Sequence, residues 1–407
     1  MRSDQPSVTE RLVLVSDLHL GGGAEAARWG SGFADPFDED AAFVQFLAHL
    51  HARDAGPCRL VMLGDTVDFL RVPVIGPRAG LYARNDAEAS GQLDRIHAAH
   101  GTVFGALAGT LASGVPVDFV VGNHDVELAR PAVQDRLRDL LADHGCPPSA
   151  LRQLRFHPWG YHLRGVLYAE HGNHYHDINT FERPLHPFRN DVAERPPAAR
   201  LGGVRRVAAG GPARSWRRDV VADLLPRGRL GPVARAEYRA SLLAYAEEVG
   251  LAAEVVGWLH DLGHTSFVRI ARRLLKSRLL GGPSFSEQLP HVAALVHEVL
   301  SSRGQAASFY IFGHAHVAMH VRLAGTHAHY LNTGTWSTDR REPTSASGPD
   351  PAHRTWVEIE PGGGGPPVAK LMSWAGGPVE LPDPGDTATV ELEETEHGAI
   401  GQANSSG

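Results

Sequence analysis

Short hydrophobic runs recur along the first half of the chain, and each ends in glycine or in a polar residue. These runs are Leu12–Val15, Leu60–Leu63, Val117–Val121 and Val166–Ala169. Four or five apolar residues bounded by turn residues are typical of buried strands. Between the runs, apolar residues repeat every three or four positions, which predicts helices after Asp38, over 92–112 and over 131–144. The alternation of strands and helices indicates an α/β fold.

In the second half of the chain, the alternation of predicted strands and helices is interrupted and later resumes. Strands are expected again over 308–312, 328–331, 355–359 and 368–372. The stretch 183–303 is different, because its first part is rich in arginine and its second part has helical spacing over 236–262, 265–280 and 290–303. We therefore predict a core of residues 1–182 and 304–375, an Arg-rich helical cap insertion over 183–303, and a disordered acidic tail over 376–407.

Five short polar motifs each follow a predicted strand. They are Asp17-x-His19, Gly64-Asp65-x-x-Asp68, Gly122-Asn123-His124-Asp125, His171-Gly172 and Gly313-His314-x-His316. Strand ends in α/β sheets aim loop side chains into one crevice, so these residues are expected to meet. Carboxylate, imidazole and carboxamide groups without thiolates suit Mn²⁺, Fe or Zn²⁺ in a hydrolytic site.

The spacing within the motifs has a physical reason. In an extended segment, residues two apart point the same way, so Asp17 and His19 are expected to face one cation. The same holds for His314 and His316 if that segment is extended. Neighbouring glycines let the backbone approach closely. A carboxylate such as Asp65 can bridge two cations about 3.5–4 Å apart.

In this order, the motifs resemble the signature of the calcineurin-like metallophosphoesterase superfamily. The resemblance covers residues 12–175 and 305–336, about half of the chain. Each motif alone is weak, but five in order after apolar runs are specific. The resemblance implies a four-layer αββα sandwich, two packed mixed sheets flanked by helices. It also implies two divalent metal ions, with Mn²⁺ expected first and Fe or Zn²⁺ as alternatives.

The resemblance also implies a role for each matched residue. Asp17, His19 and His316 would hold the first metal, Asp65 would bridge, and Asn123, His171 and His314 would hold the second. His124 would face the substrate and protonate the leaving oxygen, and Asp125 would orient His124 through its other ring nitrogen. A metal-bridging hydroxide would attack phosphorus in line.

Three further polar residues in the motif loops have less specific roles. Asp68 is expected to support the metal loop rather than to coordinate directly. His174 and His176 either contact substrate or only satisfy a dense polar loop.

The function implied is hydrolysis of a phosphate ester or phosphoanhydride on a small phosphorylated, nucleotide- or lipid-linked substrate. The layout looks nearest to the UDP-2,3-diacylglucosamine pyrophosphatases, but that group has arginine where this chain has His124, and the cap here is longer. The lipid substrate is therefore not carried over. A nuclease or cyclic-nucleotide phosphodiesterase is the alternative enzyme, and a non-catalytic scaffold of the same fold is an alternative of another class.

The composition of the chain limits the kinds of partner and metal site that are expected. The formal net charge of -7 gives no support for a stable nucleic-acid partner. Two cysteines, Cys58 and Cys146, exclude a disulfide framework and a Cys-rich zinc site. With no basic leader and no long apolar run, a cytoplasmic location is expected. A basic amphipathic stretch around 270–278 fits either cap packing, which is favoured, or peripheral contact with a membrane.

Overall fold

The computed structural model describes residues 8–29, 33–52, 56–75, 82–176, 179–181, 185, 187–189, 192–193, 232–259, 285–338, 353–382 and 389–390. Most of the arginine-rich segment, the predicted helix over 265–280 and most of the tail lie outside these residues. No helix within the described ranges is long and apolar enough to cross a membrane.

The structure is an α/β sandwich with two mixed sheets. The described strands are β1 (Arg11–Val15), β2 (Cys58–Leu63), β3 (Val117–Val120), β4 (Leu154–His157), β5 (Gly160–Leu163), β6 (Leu167–Glu170), β7 (Phe188–Arg189), β8 (Val192–Ala193), β9 (Phe309–Phe312), β10 (Ala318–Leu323), β11 (His329–Thr333), β12 (Thr355–Glu360), β13 (Val368–Trp374), β14 (Pro378–Glu380) and β15 (Thr389–Val390). The described α-helices are α1 (Asp40–Ala52), α2 (Asp86–Ala99), α3 (Gly101–Ala112), α4 (Pro131–Asp143), α5 (Pro148–Leu151), α6 (Pro232–Val249) and α7 (Phe285–Ser301).

Seven strands form the first sheet in the order β14-β13-β12-β1-β2-β3-β4, and six form the second in the order β15-β10-β11-β9-β6-β5. In the first sheet β1, β2, β3 and β4 run parallel. In the second, β6 and β9 run parallel. Parallel neighbours end at the same edge, so the loops after β1, β2 and β3 lie together, as do those after β6 and β9. All strands expected from the apolar runs are confirmed.

The alternation of side chains along β1 explains how the layers pack. Leu12 and Leu14 belong to one apolar cluster, which also holds residues of β6, β9 and β11 and so lies between the sheets. Val13 and Val15 belong to another, which holds residues of α1, α2, α3 and α4. Successive residues of a strand face opposite sides, so β1 is buried on both faces. Full burial of such side chains contributes about 1.5–3 kcal/mol each.

The second sheet is covered by helices that the spacing assigned to the cap. Tyr245 of α6 and Leu289 and Val296 of α7 share a buried cluster with Tyr168 and Tyr310 of the sheet. These helices therefore pack on the sheet itself. The start of α7 also lies close to the carboxyl ends of β6 and β9, where two of the motifs follow.

Three local predictions differ from the structure. The single helix expected over 92–112 is two helices, because His100 leaves the helical conformation between α2 and α3. The strands β4, β5 and β10 were not predicted, since their residues alternate with polar ones in short segments. Residues 378–380, expected to belong to the disordered tail, pair with β13 as β14.

The break at His100 is fixed by two carboxylates. The ring places Nδ1 3.0 Å from Asp40 Oδ1 and Nε2 3.0 Å from Asp35 Oδ2. Burial alone lowers the pKa of His100, but hydrogen bonds to Asp35 and Asp40 outweigh it and raise the pKa to about 9. The residue is therefore a charged link between α1, α2 and the loop before α1.

Replacing His100 by glutamine should destabilise the fold in a pH-dependent way. Because the folded pKa lies above the ordinary 6.5, the ion pairs stabilise fully below pH 6.5, by about 3 kcal/mol, and this contribution is lost as the pH rises through 9. Urea unfolding of both proteins between pH 6 and 9.5 measures the difference, which should shrink with rising pH. His51→Gln on the exposed end of α1 is the control, with an expected effect within about 0.5 kcal/mol. A difference at His100 that stayed constant with pH would contradict the charged link.

Candidate metal centre

The structure brings the five motifs together at the strand ends. Three sets of ligand atoms converge, with the members of each set within 4.8 Å of one another. The sets are Asp17, His19 and His316; His19, Asp65 and His124; and Asp65, His171 and His314. All of these residues are at most 9 % exposed. His19 and Asp65 each belong to two of the sets, so the three sets are contiguous.

The backbone of the ligand loops is left-handed rather than extended. Six described non-glycine residues have positive φ, and five of them are Asp17 (54°), His19 (58°), Asp65 (51°), His314 (67°) and His316 (59°). The expectation that an extended segment aligns each pair is therefore wrong. Each side chain is aimed by a left-handed turn, a conformation that costs about 1–3 kcal/mol and collects at functional sites.

Hydrogen bonds between neighbouring loops hold these conformations. The backbone amide of Asp17 donates to the carbonyl of Gly64 at 3.1 Å, and that of His19 donates to the carbonyl of Asp65 at 2.9 Å. The loops after β1 and β2 therefore fix each other. This explains how several strained residues persist in adjacent positions.

Glycines allow the loops to approach. A Cβ on Gly64 would lie 2.5 Å from Cγ of His171, and one on Gly313 would lie 2.5 Å from Oγ of Ser16. Both contacts join the first sheet to the second at the site. At these positions any side chain would push the two halves of the site apart.

Each buried carboxylate divides its oxygens between two tasks. Asp17 accepts the backbone amide of His314 with Oδ2 at 2.9 Å, and Asp65 accepts that of His124 with Oδ1 at 2.7 Å. The other oxygens face imidazoles: Asp17 Oδ1 lies 3.1 Å from Nε2 of His316, and Asp65 Oδ2 lies 3.1 Å from Nε2 of His171. Asp65 Oδ2 also lies 3.7 Å from Nε2 of His19, which suits a bridging position.

The hydrogen bond made by one ring nitrogen determines which nitrogen of the imidazole faces the centre. Nδ1 of His171 donates to the carbonyl of Leu63 at 2.9 Å, and Nδ1 of His19 donates to Asp68 Oδ2 at 3.0 Å. A neutral ring that donates through Nδ1 keeps its lone pair on Nε2. In the neutral ring, which a bound cation would favour over the charged one, both Nε2 atoms are available as ligands.

The donor set fits divalent cations. Among the described residues, Asn123 Oδ1 is a candidate ligand atom that is buried without a hydrogen bond. Such atoms cost about 1–3 kcal/mol each unless a partner compensates. Nε2 of His19 also lies 3.1 Å from Nε2 of His316, so two imidazole nitrogens face each other. Oxygen and imidazole groups in this arrangement match Mn²⁺, Fe or Zn²⁺.

The pKa values of the buried carboxylates and imidazoles reflect how close these groups lie to one another. Burial lowers the pKa of His19, but hydrogen bonds to Asp17 and Asp68 outweigh it and raise the pKa to about 10. Burial likewise lowers the pKa of His171, and the charges of Asp65 and Asp17 raise it to about 9. Burial raises the pKa of Asp65, yet His171 and His124 hold it well below its usual range. Negative charge is thus concentrated where the rings meet.

The partner of His124 differs from the one predicted. Nδ1 of His124 lies 2.9 Å from Asp68 Oδ2, the same oxygen that accepts from His19. The carboxylate of Asp125, expected to orient this ring, instead accepts backbone amides from Gly122 at 2.6 Å and Thr66 at 2.9 Å. Asp68 occupies the orienting position because its loop folds back toward the site, whereas Asp125 ties the loop after β3 to the loop after β2.

The sequence motifs did not single out two residues beside His314. Phe285, the first residue of α7, packs at 5.5 Å from the His314 ring, and Asn179 places Nδ2 3.1 Å from Nε2 of His314. His176, left open in the sequence, places Nδ1 2.9 Å from the same Nε2. The dense run of histidines over 171–176 was the signal for this side of the site, but nothing in the sequence pointed to Phe285.

No protein-family model matches this chain, and no curated protein is similar to it. Among solved structures, it is similar to a conserved protein from Streptococcus pneumoniae that is described as a predicted phosphoesterase. The identity is 8% and the TM-score 0.26, over 91% of this chain and 97% of that chain. It is also similar to a phosphopantetheinyl hydrolase from Mycobacterium tuberculosis, with 12% identity and a TM-score of 0.23, over 84% and 95%. TM-scores below 0.5 do not establish a shared fold, so the function is inferred below from the side chains of the site.

Gly122→Ala tests the close approach that the centre requires. A Cβ there would lie 2.5 Å from the backbone nitrogen of Asp65 and would press on its Oδ1. We expect Mn²⁺ affinity to fall and stability to drop by about 1–3 kcal/mol, as overpacking does. Calorimetric titration with Mn²⁺ and thermal unfolding measure both.

The matched control is Gly109→Ala in α3, where a Cβ meets nothing within 4 Å. Alanine is the better helix former, so this variant should be at least as stable as the parent and bind Mn²⁺ equally well. Equal Mn²⁺ affinity in the two alanine variants would show that Gly122 does not control the position of Asp65.

Proposed function

We propose that the protein is a dinuclear metal-dependent phosphoesterase that hydrolyses a phosphate ester or phosphoanhydride of a small phosphorylated molecule. The observation that carries the proposal is the convergence of two buried carboxylates and five imidazoles from five separate loops, with five of these seven residues in left-handed conformations. Strained, buried and partly uncompensated polar groups cost stability, and a fold keeps them where function requires them.

Asp17, His19 and His316 would hold the first cation. Asn123, His171 and His314 would hold the second, and Asp65 would belong to both. When bound, a pair of divalent cations supplies Lewis acidity to phosphate oxygens and lowers the pKa of water. The resemblance to calcineurin-like metallophosphoesterases, with its four-layer αββα arrangement, supports the same proposal through the order of the motifs.

His124 is the residue proposed to handle the proton. Its Nδ1 lies 2.9 Å from Oδ2 of Asp68, which leaves Nε2 to face the substrate. As a water attacks phosphorus in line and the bond to the leaving oxygen breaks, a proton on Nε2 of His124 passes to that oxygen. The carboxylate of Asp68 stabilises the imidazolium before the transfer and keeps the ring in one orientation.

The proposed metal chemistry defines the substrate as a phosphate ester or a phosphoanhydride. Phosphate esters and phosphoanhydrides both place phosphoryl oxygens between two cations. Most of the arginine-rich part of the predicted cap lies outside the described residues, and peripheral membrane contact and a cytoplasmic location remain predictions.

Hydrolysis of bis-p-nitrophenyl phosphate and p-nitrophenyl phosphate with added Mn²⁺ tests the function. Activity toward either substrate that disappears with a chelator and returns with Mn²⁺ is expected. Preference for the diester would favour the nuclease or cyclic-nucleotide phosphodiesterase alternative. Two bound cations without cleavage of any phosphate ester would favour a scaffold and contradict an enzyme.

Asp65→Asn should remove metal and activity together. Loss of the shared carboxylate oxygen leaves both cations short of a ligand, so affinity should fall by more than the roughly 10–100-fold typical of outer partners. Metal content after dialysis, together with the hydrolysis rate, measures this. Asp135→Asn on the exposed face of α4 is the matched control and should retain both metals and full activity. Asp65→Asn protein that kept both cations would rule out the shared position.

His124→Ala should keep the metals and lower kcat by about 10²–10⁴, the usual contribution of a general acid. If Asp68 acts through His124, adding Asp68→Asn to His124→Ala should cost less than Asp68→Asn alone, because interacting residues are non-additive. Kinetics and metal content of the two single variants and the double variant provide the cycle. Strictly additive losses would separate Asp68 from His124.

A further inference from the structure

Two histidines meet outside the metal centre, on the helices that cover the first sheet. Nε2 of His97 in α2 lies 2.9 Å from Nε2 of His144, which directly follows the last residue of α4. The centroids of the two rings are 5.1 Å apart. His97 is half-buried and His144 is exposed, so the pair is accessible from solvent. The proposed hydrolysis uses neither residue.

Both rings rest on α3, which lies between the two helices that carry them. The ring of His97 meets the buried ring of Phe104 edge-on, with 5.1 Å between centroids. The ring of His144 lies against Gly105, where an added Cβ would come 3.2 Å from Nδ1. These contacts restrict both rings before any ligand arrives, which lowers the entropic cost of binding one.

The pair lies where two helices end. His97 belongs to the last turn of α2, and His144 is the C-cap residue of α4. The carboxyl end of a helix carries a partial negative charge, which favours a cation within the last turn. Because two such ends meet here, the backbone favours positive charge between the rings.

The side chains around His97 keep a lone pair available. Burial lowers the pKa of His97, and the imidazole of His144 and the charge of Arg136 lower it further, while Asp94 and Asp143 act against this shift. Arg136 Nε donates to Asp94 at 2.7 Å, which offsets one carboxylate and leaves that of Asp143 beside the pair. A cation binds the neutral form of imidazole, so a lowered pKa favours binding at neutral pH.

The separation of the two nitrogens fits a single transition-metal ion. A cation about 2.0–2.1 Å from each of two imidazole nitrogens, at right angles, holds them about 2.9 Å apart. Right angles are the geometry of tetragonal Ni²⁺ and Cu²⁺, and imidazole suits both ions. In the metal-free pair one Nε2–H donates to the other Nε2. On binding, that ring exchanges this hydrogen with solvent and is protonated on Nδ1, so that both Nε2 lone pairs reach the cation.

We propose that His97 and His144 form a two-histidine site for a divalent transition-metal cation, with water in its remaining positions, that cross-links the ends of α2 and α4. Its ligands are imidazoles alone, in contrast to the carboxylate-rich centre at the strand ends. The inference does not depend on the proposed function.

Titration of the full chain with Ni²⁺, in the presence of Mn²⁺, counts the cations. His97→Gln and His144→Gln each remove one imidazole and keep a polar side chain. His51→Gln at the exposed end of α1 is the matched control. We expect the parent and His51→Gln to bind one more Ni²⁺ than either pair variant. The double variant His97→Gln/His144→Gln should bind as many as each single variant, because the two rings hold one ion.

The cross-link also predicts a gain in thermal stability. A cation that binds only the folded chain raises its Tm. Ni²⁺ should therefore raise the Tm of the parent by about 2–4 °C more than that of His97→Gln or His144→Gln. Thermal unfolding followed by circular dichroism measures this shift, and the same traces without Ni²⁺ establish that each variant is folded.

Two kinds of result would overturn the proposal. Equal numbers of bound Ni²⁺ and equal Tm shifts in the parent and the pair variants would mean that the rings only hydrogen-bond to each other. Loss of a cation in one single variant but not in the other, or loss of two in the double variant, would mean that the histidines bind separately. If the parent cleaves no phosphate ester, the proposed function fails while the Ni²⁺ count still decides this inference.

Discussion

Everything at this site depends on burying two carboxylates next to each other. Asp17 and Asp65 are almost fully excluded from solvent, and burial of a bare carboxylate costs several kcal/mol unless it is compensated. The fold compensates one oxygen of each with a backbone amide and turns the other toward imidazoles. The charge of these oxygens raises the pKa values of His19 and His171, and it would equally favour a bound cation. A pair of divalent ions would therefore stabilise the folded state in proportion to its occupancy, so binding and stability are linked.

The same constraint explains the backbone. Carboxylates and imidazoles from strands in two different sheets reach a common centre only if the chain turns sharply directly after each strand. The left-handed residues make these turns, and the hydrogen bonds from Asp17 to Gly64 and from His19 to Asp65 keep them in place. Gly64 and Gly313 let the two sheets touch at that edge. Strain is thus concentrated in the loops, whereas β1 and its neighbours remain regular and fully packed.

The features that the sequence predicts are those set by residues close together along the chain, whereas contacts between distant loops are not predicted. Apolar runs give the strands because burial on both faces requires them, and motifs at strand ends give the centre because parallel strands end at one edge. The extended conformation predicted for Asp17 and His19 is wrong. That prediction uses only the spacing of neighbouring residues, whereas the observed left-handed turn is imposed by the neighbouring loop. The choice of Asp68 over Asp125 as the partner of His124 depends on how the loop after β2 folds back, which no local spacing encodes.

The surroundings of His314 include residues that lie outside the five motifs. Strand-end motifs supply the ligands, but the atoms around Nε2 of His314 come from the loop after β6 and from the first residue of α7. That residue, Phe285, begins α7, which packs on the second sheet. A helix that packs against the ring of His314 can change the position of that ring without altering a single motif residue.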